Sequence, residues 1–211
     1  MPRQNRVTPF GSIIAVPARG TLMGNRGCLH DETQTIRRPF QGTRWIICAL
    51  DFKGRKRTLM APGRYTELFF LDEATALAAG HRPCAECQRD RFARFREIWA
   101  AANPERARTR RPLAAVIDAV LHEERTAPRG LRSCLSIDGL PDGVFVTDDE
   151  QSACLIVGGE PRRWSPDGYA DSAARLQYPV RILTPPSVVR TLAAGYRAGI
   201  HQSASGGGSR F

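Results

Sequence analysis

Gly80-His81-Arg82-Pro83-Cys84-Ala85-Glu86-Cys87 is the stretch on which the reading of this chain turns. Two thiols three residues apart, at a tight bend just ahead of a helix, present one face of a tetrahedral metal site, with backbone N–H groups at the helix start supporting the negative sulfurs. A redox dithiol of the thioredoxin kind would follow directly from a strand. Here a short Ala-rich segment and Gly80 precede the pair. The spacing therefore favours Zn2+, which needs further ligands from elsewhere in the chain. Cys48, in the apolar run Arg44–Phe52, is the expected third. Cys28 and His30, two apart on an extended segment and so on one side of it, compete for the fourth place. His81 is a spare imidazole, ranked below His30 because Pro83 constrains the bend between it and Cys84.

Working outward, Asp72 is expected to N-cap a helix over 73–79, which Gly80 ends as a left-handed residue. Downstream of Cys87 a longer helix should run to about Ala102 with Phe92, Phe95, Ile98 and Trp99 on one face. Short strands are expected at 12–16, 21–23, 44–52, 58–61 and 65–71, the basic run Lys53–Arg57 forming a hairpin connection. Residues 103–112, with two prolines and four arginines, suggest a linker. A helix follows with Leu113, Val116, Ile117, Val120 and Leu121 as its apolar face and His122 at the surface. Strands at 144–147, 153–157 and 178–183 then lead to a last helix opened by Pro185-Pro186 and stopped by Gly195.

The predicted fold class is α+β: a basic zinc-stapled module over 1–108, a smaller β-rich module with flanking helices over 109–200, and a disordered Ser/Gly-rich tail over 201–211. No segment approaches the roughly 20 apolar residues of a membrane span, and the N-terminus lacks the apolar run of a signal peptide. These features lead to the expectation of a cytoplasmic protein whose cysteines are reduced, with Cys134 and Cys154 as buried apolar groups.

The net charge of +10 is one-sided: residues 1–111 hold 21 Lys/Arg against 10 Asp/Glu, and residues 112–211 hold 10 against 11. Such a basic half points to nucleic acid, since each neutralised phosphate releases condensed counterions. Arg26, Lys53, Arg55, Lys56, Arg57, Arg89 and Arg96 are the expected contacts. Arg26 falls in Arg19–Gly27, which has the glycines and arginines of a phosphate-cradling loop without a known spacing. Trp164, Gly168 and Tyr169 suggest a base-stacking surface as readily as a core and a turn.

The run from Phe69-Phe70-Leu71-Asp72-Glu73-Ala74 through Gly80-His81-Arg82-Pro83-Cys84-Ala85-Glu86-Cys87-Gln88 resembles the second half of the Ada-type metal-binding domain, the zinc module of the bacterial alkylation-response protein. The likeness spans residues about 66–88. It implies bound Zn2+, a role in DNA repair or processing, and, by position, Cys48 as a thiolate that accepts a methyl group from a DNA phosphotriester. Phe52 stands where the family carries a second cysteine of its first pair. The residues thus support a nucleic-acid-interacting zinc protein with a mainly structural metal. The alternatives are an enzyme, either a methyl acceptor at Cys48 or a zinc-dependent nuclease or hydrolase, and a protein–protein interaction module.

Overall fold

The computed structural model describes residues 1–55, 58–127 and 133–205, and it is α+β. The first sheet holds β1 (Gln4–Val7), β2 (Ile13–Ala15), β3 (Leu22–Asn25), β4 (Ile46–Cys48), β5 (Leu68–Phe70) and β6 (Arg82–Pro83), in the order β2-β1-β5-β3-β4-β6. The second holds β7 (Ser133–Cys134), β8 (Phe145–Thr147), β9 (Cys154–Val157), β10 (Glu160–Ser165), β11 (Gly168–Ala173) and β12 (Val180–Ile182), in the order β11-β10-β9-β8-β12-β7. The helices are α1 (Glu73–Ala78), α2 (Arg89–Ala102), α3 (Pro104–Ala107), α4 (Ala114–Thr126) and α5 (Pro186–Ala193). None of the described helices is long and apolar enough to cross a membrane.

Helix α1 explains how the two sheets meet. Every one of its residues is buried, the four Ala and Leu side chains against apolar neighbours and Glu73 and Thr75 with polar partners. Ala76 and Leu77 join a core with Phe70, Phe95, Trp99, Ile117, Val146 and Val188, whereas Ala74 and Ala78 join another with Phe145, Leu155, Tyr169 and Leu183. Small side chains let the helix fit between both layers. Asp72 caps it as expected, accepting from the Thr75 N–H at 2.8 Å. The same carboxylate accepts from the Tyr169 hydroxyl at 2.7 Å and the His201 N–H at 2.9 Å. Glu73 beside it accepts from the Tyr196 hydroxyl at 2.6 Å and the Gly199 N–H at 2.7 Å, and pairs with Arg91. Two adjacent carboxylates thus anchor the C-terminal segment to the first half of the chain.

Several sequence expectations change. Residues 201–205 are ordered: Gln202–Ser205 form a 3-10 turn with Ala204 buried. The rest of the expected disordered tail lies outside the described residues. In the 103–112 segment, α3 replaces an open linker, and buried Asn103 donates to the carbonyls of Trp99 at 2.8 Å and Ser187 at 3.2 Å. Leu113, placed on the apolar face of α4, is 76% exposed because it precedes the helix in extended conformation. No strand forms at 58–61. Strand β3 runs on through Gly24 and Asn25, past the expected end at 23. A Cβ at Gly24 would meet the Ile46 carbonyl oxygen at 2.2 Å, so glycine permits the close approach of β4.

Candidate metal centre and its cavity

The three-cysteine group is assembled by a pairing that leaves little trace in composition. β6 is only two residues long, yet it pairs in parallel with β4 through Ile46↔Arg82 and Ile47↔Pro83. The Cys84 N–H continues the ladder to the Ile47 carbonyl at 2.9 Å, and the Gln88 side-chain amide donates to that oxygen at 3.0 Å. Cys48 and Cys84 are thereby set side by side, and the bend through Ala85-Glu86 returns Cys87 to them. The ligand atoms of Cys48, Cys84 and Cys87 all lie within 4.8 Å of one another. A tetrahedral zinc with Zn–S bonds near 2.3 Å needs sulfurs about 3.8 Å apart, so a small contraction suffices. Met23, Ile46 and Phe69 pack around the group.

The thiols share protons unevenly. Cys84 is pulled down to about 5, foremost because the Cys48 thiol donates to it, with the Cys87 and Glu86 N–H groups adding to the effect against burial. The Glu86 N–H lies 3.4 Å from the Cys84 sulfur. Cys48 is pushed far up by donating that hydrogen bond and by burial, and Cys87 is raised by burial although the Ala49 N–H faces it. A metal replacing the shared protons needs all three as thiolates, so its affinity falls as pH falls.

The knuckle is braced from behind. Arg82 forms a bidentate pair with Asp118 of α4, at 2.9 Å for both Nε–Oδ1 and Nη2–Oδ2, and both side chains are nearly inaccessible. Arg82 also donates to the Pro83 carbonyl at 3.0 Å and lies over the Phe92 ring. On the open side, a cavity of about 680 Å³ is lined by all three cysteines together with Phe52, Tyr65, Phe69, Arg44, Arg55, Glu67 and Glu86. Arg44 and Arg55 are exposed, Arg55 pairing with Glu86 at 3.0 Å. Arg55 and Lys53 both lie over the Phe52 ring. The arrangement is three soft donors at the floor of an aromatic- and arginine-walled cleft.

Cys28 and His30 do not join this group. The antiparallel register Met23↔Cys48 and Asn25↔Ile46 carries Cys28 beyond the far end of the β3–β4 ladder, where its sulfur lies 3.7 Å from the His30 carbonyl oxygen. Both His30 ring nitrogens are engaged, Nδ1 with the Thr66 hydroxyl at 2.6 Å and Nε2 with the Ala61 carbonyl at 3.2 Å. His81 is fully buried, accepting at Nε2 from Arg26 Nε at 3.2 Å and donating from Nδ1 to the Ala76 carbonyl. Burial, reinforced by the charges of Arg26 and Arg125, holds its pKa well below the ordinary histidine value.

Among the expected nucleic-acid contacts, Lys53, Arg55 and Arg89 are exposed, and Arg96 is half-buried with its guanidinium over the Phe92 ring. Arg26 is only 2% exposed, so it offers no surface along which a nucleic-acid backbone could run. Lys56 and Arg57 lie outside the described residues. Tyr169 is buried against Asp72, which removes it from any stacking surface. Cys134 is half-buried and Cys154 buried, both apart from the metal group. His122 is half-buried rather than at the surface, edge-on to Phe40 and accepting from Arg125. Asp118 escapes notice in the apolar pattern of α4, although a carboxylate three residues before the core residue Leu121 is a signal for a buried cationic partner. Phe52 and Tyr65 are cavity walls that nothing in their spacing marks.

No protein-family model matches the chain, and no curated protein or solved structure is significantly similar to it.

Proposed function

We propose that the chain is a zinc protein that binds nucleic acid, DNA in preference to RNA, at the cleft over its three-cysteine centre, with a role in DNA repair or processing. The observation that carries this reading is the convergence of Cys48, Cys84 and Cys87 on a cavity walled by Phe52, Tyr65 and Phe69 and edged by Arg44 and Arg55. Aromatic faces with flanking cations accept unstacked bases and the phosphates between them. The resemblance of residues about 66–88 to the Ada-type domain supports the same reading. In that comparison Phe52 occupies the place of a family cysteine and lines the cleft instead.

The test is fluorescence anisotropy with a labelled single-stranded oligonucleotide. With about four phosphates neutralised, affinity falls roughly 50-fold between about 50 and 200 mM salt. Phe52→Ala weakens binding by about 1–3 kcal/mol if a base stacks there. Salt-independent binding, or none at low salt, contradicts the proposal. A second reading is favoured by the number of protein ligands. Three with an open side is the arrangement of catalytic zinc, where bound water becomes an accessible nucleophile. Metal-dependent cleavage of the same oligonucleotide, lost on chelation, selects that reading.

A further inference from the structure

On the far side of β4 from the cleft lies an arrangement that metal binding does not use. Arg26 and Arg125 both place their guanidinium carbons over the Trp45 ring, at 4.3 and 3.6 Å from its centroid. Arg26 is 2% exposed. Its partners are uncharged: Nε donates to His81 at 3.2 Å and Nη1 to the Gly11 carbonyl at 2.8 Å, while Nη2 has no hydrogen-bond partner among the described residues. Arg125 donates to the carbonyls of Gly80 at 2.8 Å and Thr43 at 2.7 Å, and its Nε has no partner among the described residues. Neither arginine belongs to any of the ion pairs among the described residues. Both line a cavity of about 160 Å³ whose other walls include Phe10, Gly11, Phe40 and Trp45.

Two positive charges set together, Arg26 buried and Arg125 half-buried, with no carboxylate ion-paired to either, are unfavourable; Asp118, already paired to Arg82, compensates Arg125 only in part. Burial accordingly pulls both guanidiniums down to about 9, the Arg125 charge adding to the effect on Arg26, so both remain cationic at neutral pH. The neighbouring imidazoles add no positive charge, since His81 and His122 are both shifted toward the neutral form by burial and by Arg125, and His81 also by Arg26. The fold makes room for this arrangement. Gly80 has φ +82°, and a Cβ there would meet Arg125 Cδ at 2.8 Å. The cavity matches in size one of about 150 Å³ that admits a benzene-sized guest.

We propose that the Arg26–Arg125–Trp45 cavity is a binding site for a small oxyanion of the phosphate class, held by the two guanidiniums. Guanidinium N–H groups fit tetrahedral oxyanions by charge-assisted hydrogen bonds, and a largely apolar wall strengthens them. The anion is either free phosphate or the terminal phosphate of a nucleic acid, which share this chemistry. The site stands whether or not the cleft binds nucleic acid or the cysteines bind zinc.

The test is 31P line broadening of inorganic phosphate titrated with the full chain, at ionic strength matched with chloride. Saturable broadening, weakened at least tenfold in Arg125→Gln, is expected; Arg26→Met is the second variant, used if it retains the native circular dichroism. Line broadening is preferred to melting temperature because phosphate stabilises folded proteins non-specifically by exclusion. Competition by a 5′-phosphorylated but not a 5′-hydroxyl oligonucleotide assigns the phosphate to a polymer end, and no competition assigns it to the free ion; either result supports the site. Absence of saturable broadening, or equal broadening by Arg125→Gln and the unmodified chain, overturns it.

Discussion

Asp118→Asn is expected to lower the free energy of unfolding by about 3–5 kcal/mol, the usual consequence of removing one partner from a buried ion pair. The neutral amide preserves shape but leaves the Arg82 guanidinium, 3% exposed, without a compensating charge. Arg82 belongs to β6, whose pairing with β4 sets Cys84 beside Cys48. Metal affinity should therefore fall together with stability, although Asp118 touches no sulfur. The double variant Arg82→Met/Asp118→Leu should regain most of the lost stability, because an apolar pair of similar volume avoids desolvation. Chemical denaturation of the three proteins measures this. A loss below about 1 kcal/mol in Asp118→Asn would show that the pair is not the brace described.

Cys84→Ser has the second large effect. The hydroxyl is a poor zinc ligand at neutral pH, and Cys84 is the sulfur that accepts both the Cys48 thiol and the knuckle N–H groups. Affinity should drop by at least about a thousandfold. With metal present at about a thousand times the native dissociation constant, that removes about 4 kcal/mol of stabilisation. Cys134→Ser, at a half-buried cysteine apart from the group, should leave metal stoichiometry unchanged. Competition with a chromophoric chelator reads both. Equal affinities for Cys84→Ser and the unmodified chain would remove Cys84 from the site.

What the amino-acid sequence made legible was local. The Cys84/Cys87 spacing, the Asp72 cap, the Gly80 stop and the apolar stripe of α2 are each written within a few residues, and the structure has all of them. Cys48 was found because it is the cysteine on a strand that the knuckle could reach. The error over Cys28 and His30 was one of register. Two residues on an extended segment share a side, but which end of the neighbouring strand they reach depends on the Met23↔Cys48 alignment, a non-local fact. β6 was missed because a two-residue strand has no periodicity. The basic composition proved ambiguous in the same way. Arg82 is spent on a buried ion pair, and Arg26 and Arg125 are drawn back against Trp45, whereas Arg44, Lys53 and Arg55 remain exposed beside the cleft. Net charge counts all of them alike. Burial separates them, and burial follows from how α1 and α4 pack behind the first sheet.

On the proposed function, Cys48, Cys84 and Cys87 hold one metal ion as thiolates and leave its remaining side open to the cleft. X-ray absorption at the metal edge in the purified protein, combined with elemental analysis, is the decisive measurement. One zinc per chain is expected, with a shell of three sulfurs at about 2.3 Å and one oxygen or nitrogen near 2.0 Å. A metal-free protein that stays folded in strong chelator, or a shell of four sulfurs that draws in a cysteine from outside the group, contradicts it.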